Sequence, residues 1–320
     1  MRINLDRCLE GAKTIVWEAV DLLQTYYGGE GKSGAQTLSI RNYPGDLVTT
    51  ADLAVNQYIV EALQRVFPDP AFGYLTEEND KSRMIPVSRP WVWVLDPIDG
   101  TRDFIEKTGQ FTLHLALLHG QVPLLALVAV PAEGKLYSAI KGQGAFVESR
   151  SPWNVVQNQS KSSQPQSKFE SRSQSQSEPE SPPLLPSPVR VSSRYELTDL
   201  KLVIGRNGRY PRFATFLDAF PVKQRVWGGS LGYKIVQILE QKGDVYLSLS
   251  GRSAPKDWDL AAPDLILQEA GGKLSREDGF SLRYNQGDPS QWGCLIGSNG
   301  TCHSQLCEAA NRILQEWMSF

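Results

Sequence analysis

The sequence predicts a layered α+β fold, with mixed sheets sandwiched between helices. Three observations carry that prediction. Segments with helical spacing alternate with short apolar runs along most of the 320 residues. The alternation lacks the even cadence of a parallel βαβ fold. No Gly-rich dinucleotide turn follows any of the apolar runs. A chain of this length has room for a large core, in two domains or one large layered body.

Leu5 to Tyr26 places apolar residues at Leu5, Cys8, Leu9, Ala12, Val16, Ala19, Val20 and Leu23, which is helical spacing, and Gly28-Gly29 ends it. Thr50 is expected to cap a second helix, with Asp52 in its first turn and Val55, Ile59, Ala62, Leu63 and Val66 on its buried face; Pro68 closes it. Strands are expected at 72–75, 91–95, 112–118, 123–130 and 135–140. The run from Phe111 to Pro131 is long enough to suggest a membrane span, but His119-Gly120-Gln121 breaks it into two buried strands. From Ser151 to Pro188 the composition turns to Ser, Gln, Pro, Lys and Glu, with little to bury beyond Trp153-Val155-Val156 and Leu184-Leu185. This stretch reads as a disordered insertion. Beyond it come a strand at 202–204, helices at 211–220 and 231–241, a strand at 245–249, a helix from Leu260 to Ala270 ended by Gly271-Gly272, a strand around 295–296 and a closing helix over 304–317. The expected division is thus an N-terminal α+β metal-binding domain over 1–150, the insertion over 151–188, and a C-terminal α/β substrate-binding domain over 189–320.

Composition excludes several classes. With 33 basic and 35 acidic residues the net charge is −2, so no global field attracts nucleic acid or an anionic membrane. The N-terminus is not expected to act as a signal peptide, because Asp6, Glu10 and Lys13 interrupt its apolar positions. Cys8, Cys294, Cys302 and Cys307 form no C-x-x-C pair, which reads as a reducing compartment. Cys302, His303 and Cys307 have poor spacing for zinc. A cytoplasmic protein is expected, with a small phosphorylated substrate as its partner; its oligomeric state is left open.

Four acidic clusters carry the chemistry: Asp46 to Asp52, Thr76 to Asp80, Asp96 to Thr101 with Asp103 behind it, and Asp257 to Ala262. Each alone is compatible with a turn, a first-turn helix charge or a cap. Together they place carboxylates at the ends of segments spread over some two-thirds of the chain. Carboxylates gathered in one place repel unless a cation sits among them. With few histidines and no nearby thiolates, the donor set favours Mg²⁺ over Zn²⁺. Such sites serve phosphoryl chemistry. There is no Walker loop and no kinase motif, so water is the expected acceptor and the reaction hydrolytic.

The series D-L-V-T-T-A-D (46–52), E-E (77–78), W-V-L-D-P-I-D-G-T (93–101), W-D-L-A-A-P (258–263) and E-A-G-G (269–272) resembles the inositol monophosphatase-like phosphatases. The resemblance implies the α/β/α/β/α sandwich of the inositol monophosphatase and fructose-bisphosphatase type, with two or three Mg²⁺ ions and lithium sensitivity. It implies Glu77, Asp96 and the Ile98 carbonyl as ligands of a first metal, and Asp96, Asp99 and Asp259 as ligands of a second. Thr101, oriented by Asp52, would position and help deprotonate the attacking water, and the N–H groups of Gly100 and Thr101 would receive phosphate oxygens. One departure is Thr76, where the family usually has Gly. The segment from Gly228 to Glu240, with Lys256-Asp257-Trp258-Asp259 and Ala262-Pro263, is similar to the 3′(2′),5′-bisphosphate nucleotidase branch. A substrate with a second phosphate needs cations away from the metals; Lys234, Arg194 and Lys256 are the candidates, with Gly229 and Ser230 opening a helix whose N–H groups could hold an anion. The resemblance thereby implies hydrolysis of adenosine 3′,5′-bisphosphate to AMP, clearing a by-product of sulfate activation. The alternatives are hydrolysis of inositol-1-phosphate or another sugar phosphate at the same site, or an idle scaffold.

Overall fold

The structure is a computed structural model that describes residues 3–28, 36–43, 46–80, 87–153 and 185–318. Helix α1 (Leu5–Tyr27) buries Cys8, Ala12, Ile15, Val16, Ala19, Val20 and Leu23 along one stripe, and the Asn4 side chain caps it by accepting from the Arg7 N–H at 3.0 Å. A hairpin, β1 (Ile40–Tyr43) and β2 (Asp46–Thr49), leads into helix α2 (Thr50–Val66). The cap of α2 is Thr49, not the expected Thr50. The Thr49 hydroxyl accepts from the Ala51 N–H at 3.1 Å, and Asp52 closes a capping box by accepting from the Thr49 N–H at 2.8 Å. Thr50 instead donates its hydroxyl to the Thr37 carbonyl at 3.1 Å.

Next come β3 (Phe72–Thr76), the short helix α3 (Glu77–Asp80), β4 (Trp91–Asp99) and the short helix α4 (Thr101–Ile105). They are followed by β5 (Thr112–His119), β6 (Val122–Val130), β7 (Lys135–Ile140), β8 (Ala145–Ser149) and β9 (Ser187–Val189). Strands β3 to β9 form a seven-stranded sheet in chain order, parallel only between β3 and β4. Both faces are covered, so its strands read as unbroken apolar runs. Trp93, Leu95, Leu113, Leu115 and Leu117 pack on α1 and α2, while Val92, Val94, Ala116 and Leu118 point the other way. The run from Phe111 to Pro131 is the β5–β6 hairpin, turned at Gly120 with φ +61°. Among the described residues no helix is long and apolar enough to cross a membrane.

The second half supplies β10 (Lys201–Ile204), α5 (Pro211–Ala219), β11 (Gln224–Trp227), α6 (Leu231–Leu239), β12 (Val245–Leu249), α7 (Asp257–Glu269), β13 (Lys273–Arg276), β14 (Cys294–Ser298) and α8 (His303–Met318). The strands make a five-stranded mixed sheet in the order β11-β10-β12-β14-β13. Val203, Tyr246, Leu274 and Leu295 face inward onto α6 and α7; Leu202, Val245, Leu247 and Ile296 face outward onto α5 and α8. The layers are therefore α1/α2, seven strands, α6/α7, five strands, α5/α8, the expected α/β/α/β/α sandwich. Helices α6 and α7 share one core with both sheets, so the division near residue 150 is one of sheet membership.

Most of the expected insertion, 154–184, lies outside the described residues. Its edges belong to the fold. Trp153 is buried against Tyr27, with ring centroids 5.0 Å apart, and Val189 and Ser187 of β9 pair with Ala145 and Val147 of β8. The apolar Trp153 ring and the sheet edge thus narrow the stretch expected over 151–188. The four cysteines are free and buried. His303 is held between the hydroxyls of Ser275 (2.7 Å) and Ser298 (2.8 Å), so both ring nitrogens are satisfied within the core.

Candidate active site

Strand β4 runs parallel to β3, and the chain turns at the ends of both. At the end of β4, Asp96 and Asp99 project from a break in the pairing with β5, between the Asp96–His114 and Asp99–Thr112 positions. Gly100 follows with φ +93°, a conformation that favours glycine, and a Cβ there would meet the Ser230 Cβ at 2.6 Å. Asp259 arrives from the first turn of α7, which begins at Asp257, three residues earlier than expected. Ligand oxygens of Asp96, Asp99 and Asp259 lie within 4.8 Å of one another. Glu77 opens α3 beside them. Burial pushes the Asp96 carboxyl well above the usual carboxylate range, and the charges of Glu77, Asp99 and Asp259 push it further. Burial likewise raises Asp259, to about 7, with Asp99 adding to the push. An all-oxygen set of mutually repelling carboxylates, Asp96 buried and Asp259 half-buried, fits a hard divalent cation.

Each carboxylate is aimed by its neighbours. Asp96 Oδ1 accepts from the Ile98 N–H at 3.0 Å, and Asp259 Oδ2 from the Lys256 N–H at 2.6 Å. Asp99 is held by three donors from two elements: from β5, Thr112 Oγ1 at 3.0 Å, and from the start of α6, the Gly232 N–H at 2.5 Å and the Leu231 N–H at 3.4 Å. His114 continues the chain of contacts, its Nε2 2.8 Å from Thr112 Oγ1 and its Nδ1 3.3 Å from the Trp258 carbonyl. Thr76, the departure from the family pattern, accepts from the Asn79 N–H at 3.2 Å and so caps the turn that carries Glu77.

Behind this cluster the Thr101 hydroxyl lies 3.3 Å from Asp52 Oδ1 and 3.4 Å from the Ile98 carbonyl. Thr49 fixes Asp52 from the other side, through its N–H at 2.8 Å and its hydroxyl at 2.5 Å. Burial raises the Asp52 carboxyl to about 6 against those hydrogen bonds.

The remaining candidates separate. Lys234 is half-buried and extends past Gly205 and Gly228, where a Cβ would meet its Cε at 2.6 Å and its Cγ at 2.8 Å. Its ammonium stands 5.9 Å from the Tyr246 ring centroid. Burial lowers its pKa, and the charges of Asp99 and Asp103 oppose that. Arg194 does not join the site. Its guanidinium is spent on the buried Asp244, at 2.9 and 3.0 Å, and on the Gln241 carbonyl, at the other end of α6. Lys256 contributes its backbone N–H, while its ammonium donates to Ser290 Oγ at 2.6 Å. The expected anion seat at the start of α6 is filled from within the chain: Asp99 takes the Leu231 and Gly232 N–H groups, the Ser230 N–H goes to the Gln110 carbonyl, and Ser230 Oγ receives the Tyr233 N–H. Gly229 packs on Gln110, where a Cβ would meet the carbonyl at 2.4 Å.

Sequence reasoning missed Thr49, Thr112, His114 and Arg206. Thr112 and His114 carried a weak signal, two polar residues two apart in an otherwise apolar strand and therefore on one face. Arg206 carried none, since the partners that define it, Asp103 and Glu106, are 100 or more residues away.

The family described as "Inositol monophosphatase family" matches residues 4–315. The chain is 28% identical over 288 residues to a histidinol-phosphatase of Mycobacterium tuberculosis, spanning 87% of this chain and 90% of that one. Over 103 residues it is 38% identical to the 3′(2′),5′-bisphosphate nucleotidase CysQ of Aggregatibacter actinomycetemcomitans, spanning 31% of this chain and 36% of that one. An IMPase structure from Thermotoga maritima superposes with a TM-score of 0.69 at 22% identity, covering 97% of this chain and 99% of that chain.

Proposed function

The chain belongs to the inositol monophosphatase family of metal-dependent phosphatases, and we propose that it removes the 3′-phosphate of adenosine 3′,5′-bisphosphate with Mg²⁺, giving AMP and phosphate. One observation carries the substrate reading: Lys234 lies half-buried near Asp99 and Asp103 and donates no hydrogen bond to a described residue. An unspent ammonium held near the metal ligands suits a substrate with a second anionic group. The local likeness to the nucleotidase supports the same reading.

In this reading Glu77, Asp96, the Ile98 carbonyl, Asp99 and Asp259 hold Mg²⁺. When bound, the cations supply positive charge that acidifies water and stabilises the charge developing on the phosphoryl and leaving oxygens. Asp52 accepts the Thr101 hydroxyl proton in a hydrogen bond, which turns the Thr101 lone pairs toward the attacking water. The Ile98 carbonyl gives the hydroxyl its second orientation. The Gly100–Thr101 turn presents N–H groups to the phosphoryl oxygens, and Lys234 receives the 5′-phosphate. Water adds to phosphorus as the bond to O3′ breaks, so phosphorus gains an OH and O3′ a hydrogen. By the same reading the physiological role is clearance of a sulfate-activation by-product.

A second reading has its own support. The longer likeness is to a histidinol-phosphatase, which favours a phosphate monoester such as histidinol phosphate or inositol-1-phosphate. Phosphate release from adenosine 3′,5′-bisphosphate, inositol-1-phosphate and histidinol phosphate, measured side by side with Mg²⁺, decides between them. The nucleotidase reading expects the bisphosphate to lead in kcat/KM by at least about tenfold. A lead by either monoester would overturn it, and Asp96→Asn supplies the inactive baseline.

A further inference from the structure

A cavity of about 660 Å³ lies on the flank of α7, away from the carboxylate cluster. Its α7 wall is Asp264, Leu265 and Gln268, five to nine residues beyond Asp259 and so roughly 7–14 Å along the helix axis. From the structure we infer that this cavity is a second binding site, for a small aromatic phosphate monoester.

Three cations line it: Lys141, Arg276 and Arg283. Neither Lys141 nor Arg283 forms an ion pair or a side-chain hydrogen bond with a described residue. Arg276 is held only loosely, its Nε 3.6 Å from an Asp278 oxygen, with both side chains substantially exposed. The other carboxylate in the wall, Asp264, forms no hydrogen bond or ion pair with them, although the Lys141 charge is near enough to favour its ionised form. It is buried and already satisfied, by the Tyr284 hydroxyl at 2.9 Å and Gln268 Nε2 at 2.6 Å. Cations left unspent on the wall of a cavity attract an anion, and guanidinium groups suit a phosphate's oxygens.

The apolar part of the wall describes the rest of the ligand. Leu265 and Leu282 are buried beneath the opening, and Phe280 stands at it with 73% of its surface exposed. An exposed ring beside free cations offers one face for stacking and another partner for charge. The volume falls within the range of small-molecule sites. The assignment rests on this layout alone and is independent of the substrate proposed for the catalytic cluster.

Phenylphosphonate is a suitable probe because a phosphatase cannot hydrolyse its carbon–phosphorus bond. Titration calorimetry on the full chain in an Asp96→Asn background, with Mg²⁺ present, should show the probe bound. Adding Lys141→Ala and Arg283→Ala should weaken it by about tenfold or more. Phe280→Ala should weaken it several-fold, while inorganic phosphate should bind less tightly than the probe. Without the probe, Lys141→Ala/Arg283→Ala in the otherwise native chain should keep native turnover, since neither residue touches the catalytic cluster, and a cooperative melting curve should show it folded. Equal affinity with and without the two cations, or phosphate binding as tightly as phenylphosphonate, would overturn the assignment.

Discussion

Arg206 reaches out from just beyond β10 to place Nη2 3.1 Å from Asp103 Oδ1, while Nη1 meets Glu106 Oε1 at 3.1 Å. The five-stranded half is thereby clasped to α4 two residues behind Thr101. Arg206→Ala should cost little stability, within about 1 kcal/mol, because the pair is partly exposed. It should lower kcat by several-fold through a loosened Thr101, with KM less affected, and Arg206→Lys should restore only part of the loss. Steady-state kinetics with a melting curve checks this; a loss confined to KM would mean that Arg206 serves binding.

Lys234→Met tests the cation proposed for the second phosphate. The loss of one charged contact corresponds to roughly a tenfold rise in KM for the bisphosphate. A phosphate monoester should be nearly unaffected. The fold should be unharmed, because Met replaces a half-buried ammonium that has no hydrogen-bond partner among the described residues. A parallel rise in KM for both substrates would remove Lys234 from the 5′-phosphate site.

Asp96→Asn takes one charge out of the group formed with Glu77, Asp99 and Asp259. Without metal, the variant should melt about 2–5 °C above the metal-free native chain, because like charges no longer crowd the core. With Mg²⁺ the order should reverse, since only the native chain gains stability from binding. Differential scanning calorimetry with and without chelator reads both signs, and turnover should be lost throughout.

Gly232→Ala should be among the most damaging single-methyl changes. The added Cβ would lie 2.0 Å from His114 Nε2 and 2.3 Å from Thr112 Oγ1, the hydroxyl that donates to Asp99. Relief requires α6 to shift, at a cost of about 1–3 kcal/mol. Denaturant titration should show that loss, and kcat should fall with it as Asp99 is displaced; native kinetics would contradict the packing.

His303 predicts an acid limb in the stability profile. Burial, helped by the charge of Lys273, lowers its pKa to about 4 from an ordinary 6.5. Because the folded pKa is depressed, the neutral ring's contribution is full above pH 6.5 and is lost as pH falls toward 4. The shift of roughly 2.5 pH units corresponds to about 3 kcal/mol. Urea midpoints measured between pH 7 and pH 4 should fall accordingly, and His303→Gln should flatten that part of the slope.

The strands of the large sheet were legible because sheets covered on both faces leave long apolar runs, as in Trp91–Leu95 and Leu124–Val130. Edge strands were not. Ser187–Val189 carries a proline, and Gln224–Trp227 opens on polar residues, so neither shows a pattern. The metal-ligand candidates were legible because acidic residues at segment ends are rare in such numbers. Their supports were not, because Asp99 is held by Thr112 and Gly232, the second of them 133 residues away. Arg194 shows the converse error: a lone arginine in a loop reads as free until Asp244 appears beside it.

The pairing of β9 with β8 has a consequence for engineering. The chain leaves the large sheet after Ser149, is pinned by Trp153, and rejoins it at Ser187 opposite Val147. Departure and return are neighbours on one outer edge, so a flexible insert of almost any length can join them: doubling a loop costs only about 0.6 kcal/mol. This edge is a ready graft port, where a fluorescent reporter or an affinity module could replace residues 155–184 while the catalytic core keeps both of its anchors.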